Sequence, residues 1–364
     1  MHTEAHRLTP ILRESAGTCH RSDFSVAGVS VQLSGRRPQD VALVRTLEPF
    51  RTGSQVSDLT IEVEWAENFP APAGEKLFDS GSVWRLYGED GGFQFDLNAP
   101  VLGERPYKRL VVDLGFRHAV LTMNARYFAD TPGAAVPLDY PLDELLIMHR
   151  LTQEKAIELH GAGIVRADGT GNLFVGHSGA GKSTTTRLWT EREGVEVLSD
   201  DRIIVRRDEE SRVEAEKRTP LGGANAADGV GILRLRDRSA SPIDHSAQDD
   251  RAEKQIPRSS RNDKGRMRMY GTPWHGEAMY ASPNSAPLAR IFVLEHGHGN
   301  VITPFTPSQA VAELFARSFV PFHRHEYVDS ALVFLEELAN AVPVYRYAFE
   351  PDQRAVEKIR NFHD

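Results

Sequence analysis

The first third of the chain carries short apolar runs with a period of two. Residues 59–65 alternate apolar and polar side chains, as a half-buried strand does. Residues 82–87 and 92–97 are also strand-like, and they flank Gly-Glu-Asp-Gly at 88–91, which is a hairpin turn signal. The pattern from 23 to 128 therefore predicts a small antiparallel β-rich domain.

The segments on either side of this region have different patterns. Residues 1–22 are polar and unpatterned, and they predict a flexible N-terminal tail. Apolar side chains at Leu142, Leu145, Leu146 and Met148 recur at helical spacing and predict a helix that links the β-rich domain to the rest of the chain. We therefore assign residues 23–150 to the N-terminal domain, including this helix.

Residues 151–364 alternate between strand-like and helix-like patterns, which is typical of a mixed sheet with flanking helices. Strands are predicted at 157–165, 173–175, 195–199, 203–205, 290–295 and 344–349. A tight turn at Gly161-Ala162-Gly163 is expected to interrupt the first of them. The predicted helices are 308–319 with Ser308 as the N-cap, 329–341 and 352–362. The second domain is thus expected to be α/β.

Residues from about 207 to 268 interrupt that alternation. The segment is dense in Arg, Asp, Glu, Ser and Ala, carries charges of both signs and has almost no aromatic side chains. Such a composition buries too little apolar surface to offset the entropy lost on ordering. We expect a disordered insertion between two strands.

The amino-acid composition and net charge indicate which classes of protein and partner are compatible with this chain. Of 364 residues, 40% are hydrophobic and 26% are charged, which is typical of a globular domain. The net charge of −8 disfavours nucleic acid or an anionic membrane as a partner. The single cysteine, Cys19, excludes an internal disulfide framework, and no signal-peptide core or membrane-span length of apolar residues is visible. The expected location is the cytoplasm.

The most specific motif lies at residues 176–184, which read Gly-His-Ser-Gly-Ala-Gly-Lys-Ser-Thr and contain the complete phosphate-binding pattern G-x-x-x-x-G-K-[ST]. The glycines let backbone amides approach phosphate oxygens, Lys182 supplies a positive charge, and the Ser183 hydroxyl suits Mg²⁺. We therefore expect ATP and Mg²⁺ as ligands. The predicted nucleotide contacts are Gly176, His177, Ser178, Gly179, Ala180, Gly181, Lys182, Ser183 and Thr184.

Asp200 and Asp201 end an apolar strand and are the candidate acids for phosphoryl transfer. One would hold Mg²⁺ and the other would take a proton, with Asp200 favoured as the base and Asp201 as the metal contact. The alternative is one metal-site aspartate followed by a solvated one. Glu277 is a candidate metal ligand beside Ser183 and Asp201, and His160 is a further candidate. The pairs His296/His298 and His323/His325 have chelating spacing but are expected to be solvated.

Three segments together resemble the catalytic core of the HPr kinase/phosphorylase family. They are Leu-His-Gly-Ala-Gly at 159–163, the phosphate-binding loop, and Val-Leu-Ser-Asp-Asp at 197–201. The resemblance implies a P-loop kinase core related in fold to phosphoenolpyruvate carboxykinase. It also implies that His160 lies beside the transferred phosphate, that Lys182 and Ser183 hold phosphates and Mg²⁺, and that the Asp pair provides the base and a metal contact.

The resemblance covers well under half of the chain. Neither the first domain nor the segment around Glu277 matches true HPr kinases, so a peptide or protein serine, rather than HPr, is the expected acceptor. The chain looks more like the divergent HPr-kinase-related group found beside peptide-modification genes. A small-molecule kinase, a phosphoenolpyruvate-type phosphotransferase and a non-catalytic nucleotide-binding regulatory module remain as alternatives, and homo-oligomerisation is left open.

Overall fold

The computed structural model describes residues 19–53, 56–81, 83–89, 91–99, 105–129, 135–192, 194–208 and 267–363. The predicted tail, up to residue 18, and the predicted insertion, from residue 209 to 266, lie outside these ranges. Described residues 19–207 and 267–363 form one compact unit of mixed α/β structure. Within the described ranges, no helix is both long and apolar enough to span a bilayer.

The N-terminal half is built on one sheet of nine strands, whose spatial order is β3-β1-β2-β4-β9-β8-β7-β6-β5. The strands are β1 (His20–Val26), β2 (Val29–Gly35), β3 (Arg51–Thr52), β4 (Leu59–Ala66), β5 (Glu75–Asp79), β6 (Trp84–Glu89), β7 (Gly92–Asn98), β8 (Pro106–Asp113) and β9 (His118–Asn124). The first strand therefore begins three residues inside the predicted tail.

The predicted hairpin is confirmed, because β6 and β7 pair in antiparallel fashion from Trp84↔Leu97 to Glu89↔Gly92. The expectation of a purely antiparallel sheet is wrong. Strand β4 pairs in parallel with both of its neighbours, β2 and β9. Parallel neighbours need a crossover, and the described part of the connection from β2 to β4 contains two 3₁₀ turns, Pro38–Val41 and Glu48–Phe50, and strand β3.

The predicted linking helix is present as α2 (Leu142–Leu151), after the short α1 (Ala125–Phe128). Nine of the ten residues of α2 are buried. Its apolar side chains belong to the same hydrophobic cluster as the N-terminal sheet, and Ile204 and Trp274 from the second half join that cluster. The two halves therefore share part of their core.

The second half contains another mixed sheet of nine strands. Its strands are β10 (Ala156–Val165), β11 (Gly171–Val175), β12 (Glu196–Ser199), β13 (Arg202–Arg207), β14 (Met267–Tyr270), β15 (Ser285–His296), β16 (Val301–Pro304), β17 (Ser318–Phe319) and β18 (Val344–Phe349). Its helices are α3 (Lys182–Thr190), α4 (Pro307–Phe315), α5 (His325–Ala341) and α6 (Gln353–Arg360).

Five of these strands close on themselves, because β11, β10, β13, β14 and β15 pair in sequence and β15 returns to pair in parallel with β11. Strand β10 is central and contacts β11, β12, β13 and β17. Helices α4 and α5 cover one apolar cluster, while α3 and α6 pack on a second cluster around Phe174, Phe292 and Tyr347. The predicted mixed sheet with flanking helices is confirmed at this level.

The predicted turn at residues 161–163 is wrong, because β10 runs through it without a break. The glycines serve close packing instead. A Cβ at Gly163 would lie 2.5 Å from Cδ1 of Ile203, and one at Gly161 would lie 3.0 Å from Cδ1 of Leu173. Glycine in a strand interior marks a close approach as well as a turn.

The predicted helices exist with different ends. Helix α4 begins one residue before Ser308, and its N-cap is Thr306, whose hydroxyl accepts from the backbone N–H of Gln309. It ends at Phe315, since residues 318–319 pair with β10 as β17. Helix α5 starts four residues earlier than predicted, and α6 is capped by Asp352.

The expectation that His323 is solvated is also wrong. Its ring lies 5.2 Å from the buried ring of His149 and 5.2 Å from Phe93, among aromatic side chains of both halves. Burial lowers the pKa of His149 to about 3 and that of His323 to about 4. His325 and His298 are exposed, as expected.

We predict that the insertion is dispensable for folding. Strands β13 and β14 pair directly, and Arg207 is the partner of Met267. Replacing residues 209–266 with Asn-Gly therefore leaves a three-residue hairpin loop, which is a common connection length. The melting temperature should stay within a few degrees, as measured by circular dichroism. Loss of the folded protein would contradict the prediction.

The buried histidines predict a specific acid sensitivity. Their folded-state pKa values lie below about 6.5, the unfolded value, so their stabilisation is complete above that pH and is lost as pH falls toward 4. His323→Gln should lose less melting temperature than wild type between pH 7.5 and 5, by about 1–3 °C. His325→Gln, two residues away and exposed, is the matched control. Equal pH dependence in wild type and His323→Gln would refute this.

Candidate functional site

The phosphate-binding motif forms the connection between β11 and α3. Gly179 and Gly181 have φ values of +80° and +100°, a region in which other residues are strained. Gly181 is the N-cap of α3, and a Cβ there would lie 2.4 Å from the ring of Phe349 on β18. Backbone conformation therefore requires glycine at both positions, and packing against Phe349 adds a second requirement at Gly181.

Lys182 folds back over this loop. Its Nζ donates to the carbonyl oxygens of Gly176, at 3.0 Å, and His177, at 3.2 Å, and the residue is 7% exposed. Burial lowers the pKa of Lys182, although the nearby charges of Asp201 and Asp200 oppose that shift. A buried cation that is satisfied only by carbonyl oxygens is suited to accept an anion in their place.

The rest of the loop is open to solvent. His177, Ser178 and Gly179 are exposed, and so is Ser183 in the first turn of α3. His296 at the end of β15 closes one side of the loop, because its Nε2 lies 2.7 Å from the carbonyl oxygen of Gly179. The spacing of the histidine pairs did not indicate this contact.

Strand β10 places His160 beside the loop. The backbone N–H of Gly176 lies 3.3 Å from the carbonyl oxygen of His160, and the next amide of β10, that of Gly161, donates to the carbonyl oxygen of Asp201. The His160 ring reaches the same residue, since Nε2 lies 3.0 Å from Oδ1 of Asp201. The phosphate-binding loop and the Asp pair are thus joined through one residue of β10.

Asp201 is held from the other side by Arg202, whose guanidinium donates to Oδ2. That guanidinium also donates to Glu144 Oε1 at 2.7 Å and stacks over the ring of Phe319 at 4.0 Å. Burial acts to raise the pKa of Asp201, but the His160 hydrogen bond and the charges of Arg202 and Lys182 outweigh it and lower the pKa. Asp201 is therefore held as a carboxylate.

The groups behind Arg202 are acidic and deeply buried. Burial, followed by the charge of Glu144, raises the pKa of Glu158 well above its ordinary value. Burial likewise raises the pKa of Asp143, to about 7. Arg202 and Glu158 approach within 3.5 Å. The Arg202 guanidinium thus separates Asp201, a carboxylate that faces the site, from Glu158 and Asp143, whose raised pKa values favour the protonated form.

Asp200 has a different environment from Asp201. It is 2% exposed, and its carboxylate accepts backbone N–H bonds from Gly276 at 3.1 Å, Ala278 at 2.9 Å and Tyr280 at 3.2 Å. Three amides from one loop leave little room for another proton donor. The main contact of Asp200 is therefore with the backbone of that loop.

Glu277 lies on the loop that Asp200 holds, and its side chain is exposed. Gly276 packs against the aspartates, since a Cβ there would lie 3.4 Å from that of Asp201. Within the described ranges, no three His, Cys, Asp or Glu side chains are gathered in a metal-binding cluster. The predicted metal ligands Ser183, Asp201 and Glu277 therefore stay a prediction.

Sequence reasoning missed three contributors to this site: Arg202, Glu144 and His296. Arg202 follows the Asp pair directly, but its partner Glu144 lies 58 positions earlier in the chain. No local pattern marks Glu144, and the i, i+2 spacing of His296 and His298 suggested a solvated pair rather than a contact with the loop.

No protein-family model and no curated protein matched this sequence in the comparisons made. The assignment of function therefore rests on the residues and geometry described above.

Proposed function

We propose that the protein is an ATP- and Mg²⁺-dependent phosphotransferase, a serine kinase acting on a peptide or protein. The observation that carries this proposal is the junction on β10, where His160 contacts Asp201 through its ring and Gly176 of the phosphate-binding loop through its backbone. Phosphoryl transfer needs a phosphate cradle and a group that orients the nucleophile at one place.

The proposal includes a fold assignment. The five-strand ring, the loop between β11 and α3, and the Asp pair after β12 are consistent with a P-loop kinase core of the HPr kinase and phosphoenolpyruvate carboxykinase type. The support is the order and placement of the three segments that carry the resemblance. The N-terminal sheet is an addition that this core does not need for phosphate binding.

The residues of the loop are suited to a nucleoside triphosphate and its metal. Lys182 would exchange its bonds to two loop carbonyls for bonds to phosphate oxygens, which are charge-assisted and stronger. The Ser183 hydroxyl, with the exposed Glu277 carboxylate, would hold Mg²⁺, whose chemistry is to neutralise phosphate charge. The backbone amides at the start of α3 add a favourable dipole.

We assign the role of base to Asp201, not to Asp200 as the sequence favoured, and we assign the metal contact to neither aspartate. Asp201 would take the proton of the acceptor hydroxyl as its oxygen bonds to the γ-phosphorus and the bond to ADP breaks. Its side chain is 26% exposed, whereas Asp200 is almost fully buried and bonded to three amides. His160 and Arg202 would hold Asp201 in place, and Asp200 would hold the Glu277 loop.

The surroundings of Asp201 favour a peptide or protein acceptor over a small metabolite. Among the residues that the structure describes, three of the four most exposed large apolar side chains lie in segments that border the site: Tyr140 at 61%, Phe322 at 66% and Met279 at 68%. Tyr140 is close enough to Asp201 and Arg202 for their charges to affect its pKa. We propose that these side chains contact the acceptor polypeptide.

The test is ³¹P NMR of the protein with Mg²⁺-ATP, with and without serine peptides. Transfer to a peptide serine would support the proposal, since a new phosphomonoester signal would grow with ADP. Transfer only to a small molecule would favour a closed-pocket kinase. Nucleotide binding without transfer to any acceptor would favour the regulatory module.

Lys182→Ala tests the nucleotide site. Loss of a charge-assisted phosphate contact should weaken ATP binding or turnover by about 10–150-fold, equivalent to about 1.5–3 kcal/mol. Isothermal titration with Mg²⁺-ATP measures the binding, and Lys76→Ala, at an exposed lysine of β5, is the control. Unchanged binding and turnover in Lys182→Ala would exclude the loop as the ATP site.

The Asp pair gives a second test, because the two substitutions should differ in kind. Asp201→Asn should reduce phosphotransfer roughly 10²–10⁴-fold and leave nucleotide affinity within a few-fold. Asp200→Asn replaces an acceptor of three amides, so it should lower the melting temperature as well. If Asp201→Asn keeps full phosphotransfer, the assigned base is wrong. If only Asp200→Asn loses it without a change in melting temperature, the order favoured by the sequence is correct.

A further inference from the structure

A recess of about 210 Å³ opens at the end of α3 opposite the phosphate-binding loop. Arg192 lies ten positions beyond Lys182, and a helix rises about 1.5 Å per residue, so the two sites are separated by roughly 10–15 Å. The recess is lined by Arg166, Asp168, Trp189, Val195, Arg192 and Arg360. It shares no lining residue with the candidate kinase site.

Its three arginines come from three separate elements. Arg166 lies in the turn after β10, Arg192 follows α3, and Arg360 is the last residue of α6. The side chains of Arg166 and Arg192 are only 22% and 29% exposed. Convergence of cations is unfavourable unless anions lie among them, and the two carboxylates present, those of Asp168 and Glu357, compensate two of the three charges.

These arginines keep unused hydrogen-bond donors. Arg166 uses Nε and Nη2 on Thr170 and Asp168, and Arg192 uses the same two atoms on Gln353 and Glu357. Nη1 of each has no hydrogen-bond partner among the described residues, and Arg360 has neither a hydrogen bond nor an ion pair there. Three arginines against Asp168 give the lining a charge of +2, which Glu357 at the rim reduces to +1.

The dipoles of α3 and α6 explain only part of this arrangement of three arginines. A cation in the last turn of a helix is stabilised by the helix dipole, and this accounts for Arg360 and in part for Arg192. It does not account for Arg166, which lies between two strands, or for a recess with Trp189 as one wall.

We propose that this recess binds a small phosphate-bearing molecule, independently of the phosphate-binding loop. The free Nη1 groups of Arg166 and Arg192 and the guanidinium of Arg360 can donate charge-assisted hydrogen bonds to phosphate oxygens, and Trp189 and Val195 belong to the apolar part of the lining. The volume is below the roughly 300–1,000 Å³ of pockets for drug-sized ligands. The ligand is therefore inorganic phosphate or a compact phosphate ester, smaller than a nucleotide.

Tryptophan fluorescence tests this site, since Trp189 lines it. The titrations use Lys182→Ala protein, in which the phosphate-binding loop is weakened, with inorganic phosphate or phenyl phosphate as the probe. Sodium chloride at equal ionic strength is the control titration. A saturable change with phosphate, absent in Trp189→Phe and with chloride, is the expected result. Tighter binding of phenyl phosphate would identify an ester, and tighter binding of phosphate the free ion.

Substitutions then locate the ligand. Adding Arg360→Ala or Arg192→Ala should weaken the fluorescence-reported affinity roughly tenfold or more, whereas Arg45→Ala, at an exposed arginine of the other half, should not. Arg360 is exposed, so its replacement leaves the fold intact. Unchanged affinity in Arg360→Ala and Arg192→Ala, or an equal response to chloride, would overturn the proposal. The arginines would then serve only to stabilise the C-terminal ends of the helices through the helix dipole.

Discussion

The guanidinium of Arg202 connects the two halves of the structure at the candidate site. It bonds Glu144 on α2, bonds Asp201 after β12 and stacks over Phe319 on β17. Its pKa is raised, because the surrounding carboxylates outweigh its burial. Removing one partner of a buried ion pair destabilises a protein by about 3–5 kcal/mol, since it leaves a charge without compensation. The position of α2 and the geometry of Asp201 therefore depend on the same cation.

This dependence explains the unequal roles of the two aspartates. Arg202 and His160 hold Asp201 through side chains, which leave it partly open to solvent. Backbone amides hold Asp200, so its contribution is to fix a loop. Two adjacent carboxylates that look equivalent in the sequence thus have different chemistry, because a strand end turns them toward different partners.

The parts of the structure that could be predicted are those that local sequence determines. The strand–loop–helix order around residues 176–181, the β6–β7 hairpin and the α2 helix depend on patterns within about ten residues, and each lies where it was expected. The parallel pairing of β4 could not be predicted, because its partners β2 and β9 lie far away in the chain. Gly161 and Gly163 were misjudged for a related reason, since the side chains that require them belong to β11 and β13. The contacts that Glu144 and His296 make at the site could not be predicted for the same reason.

The contact between Gly181 and Phe349 has a consequence for synthesis of the chain. The loop is supported by β15 through its pairing with β11 and by β18 through Phe349, the last residue of that strand. About 170 residues separate Val175 from Phe349, and translation adds roughly 5–20 residues per second. The nascent chain therefore contains residues 176–184 for about 10–35 s before β18 is synthesised. Truncated products that end before β18 lack the strand that supports this loop through Phe349.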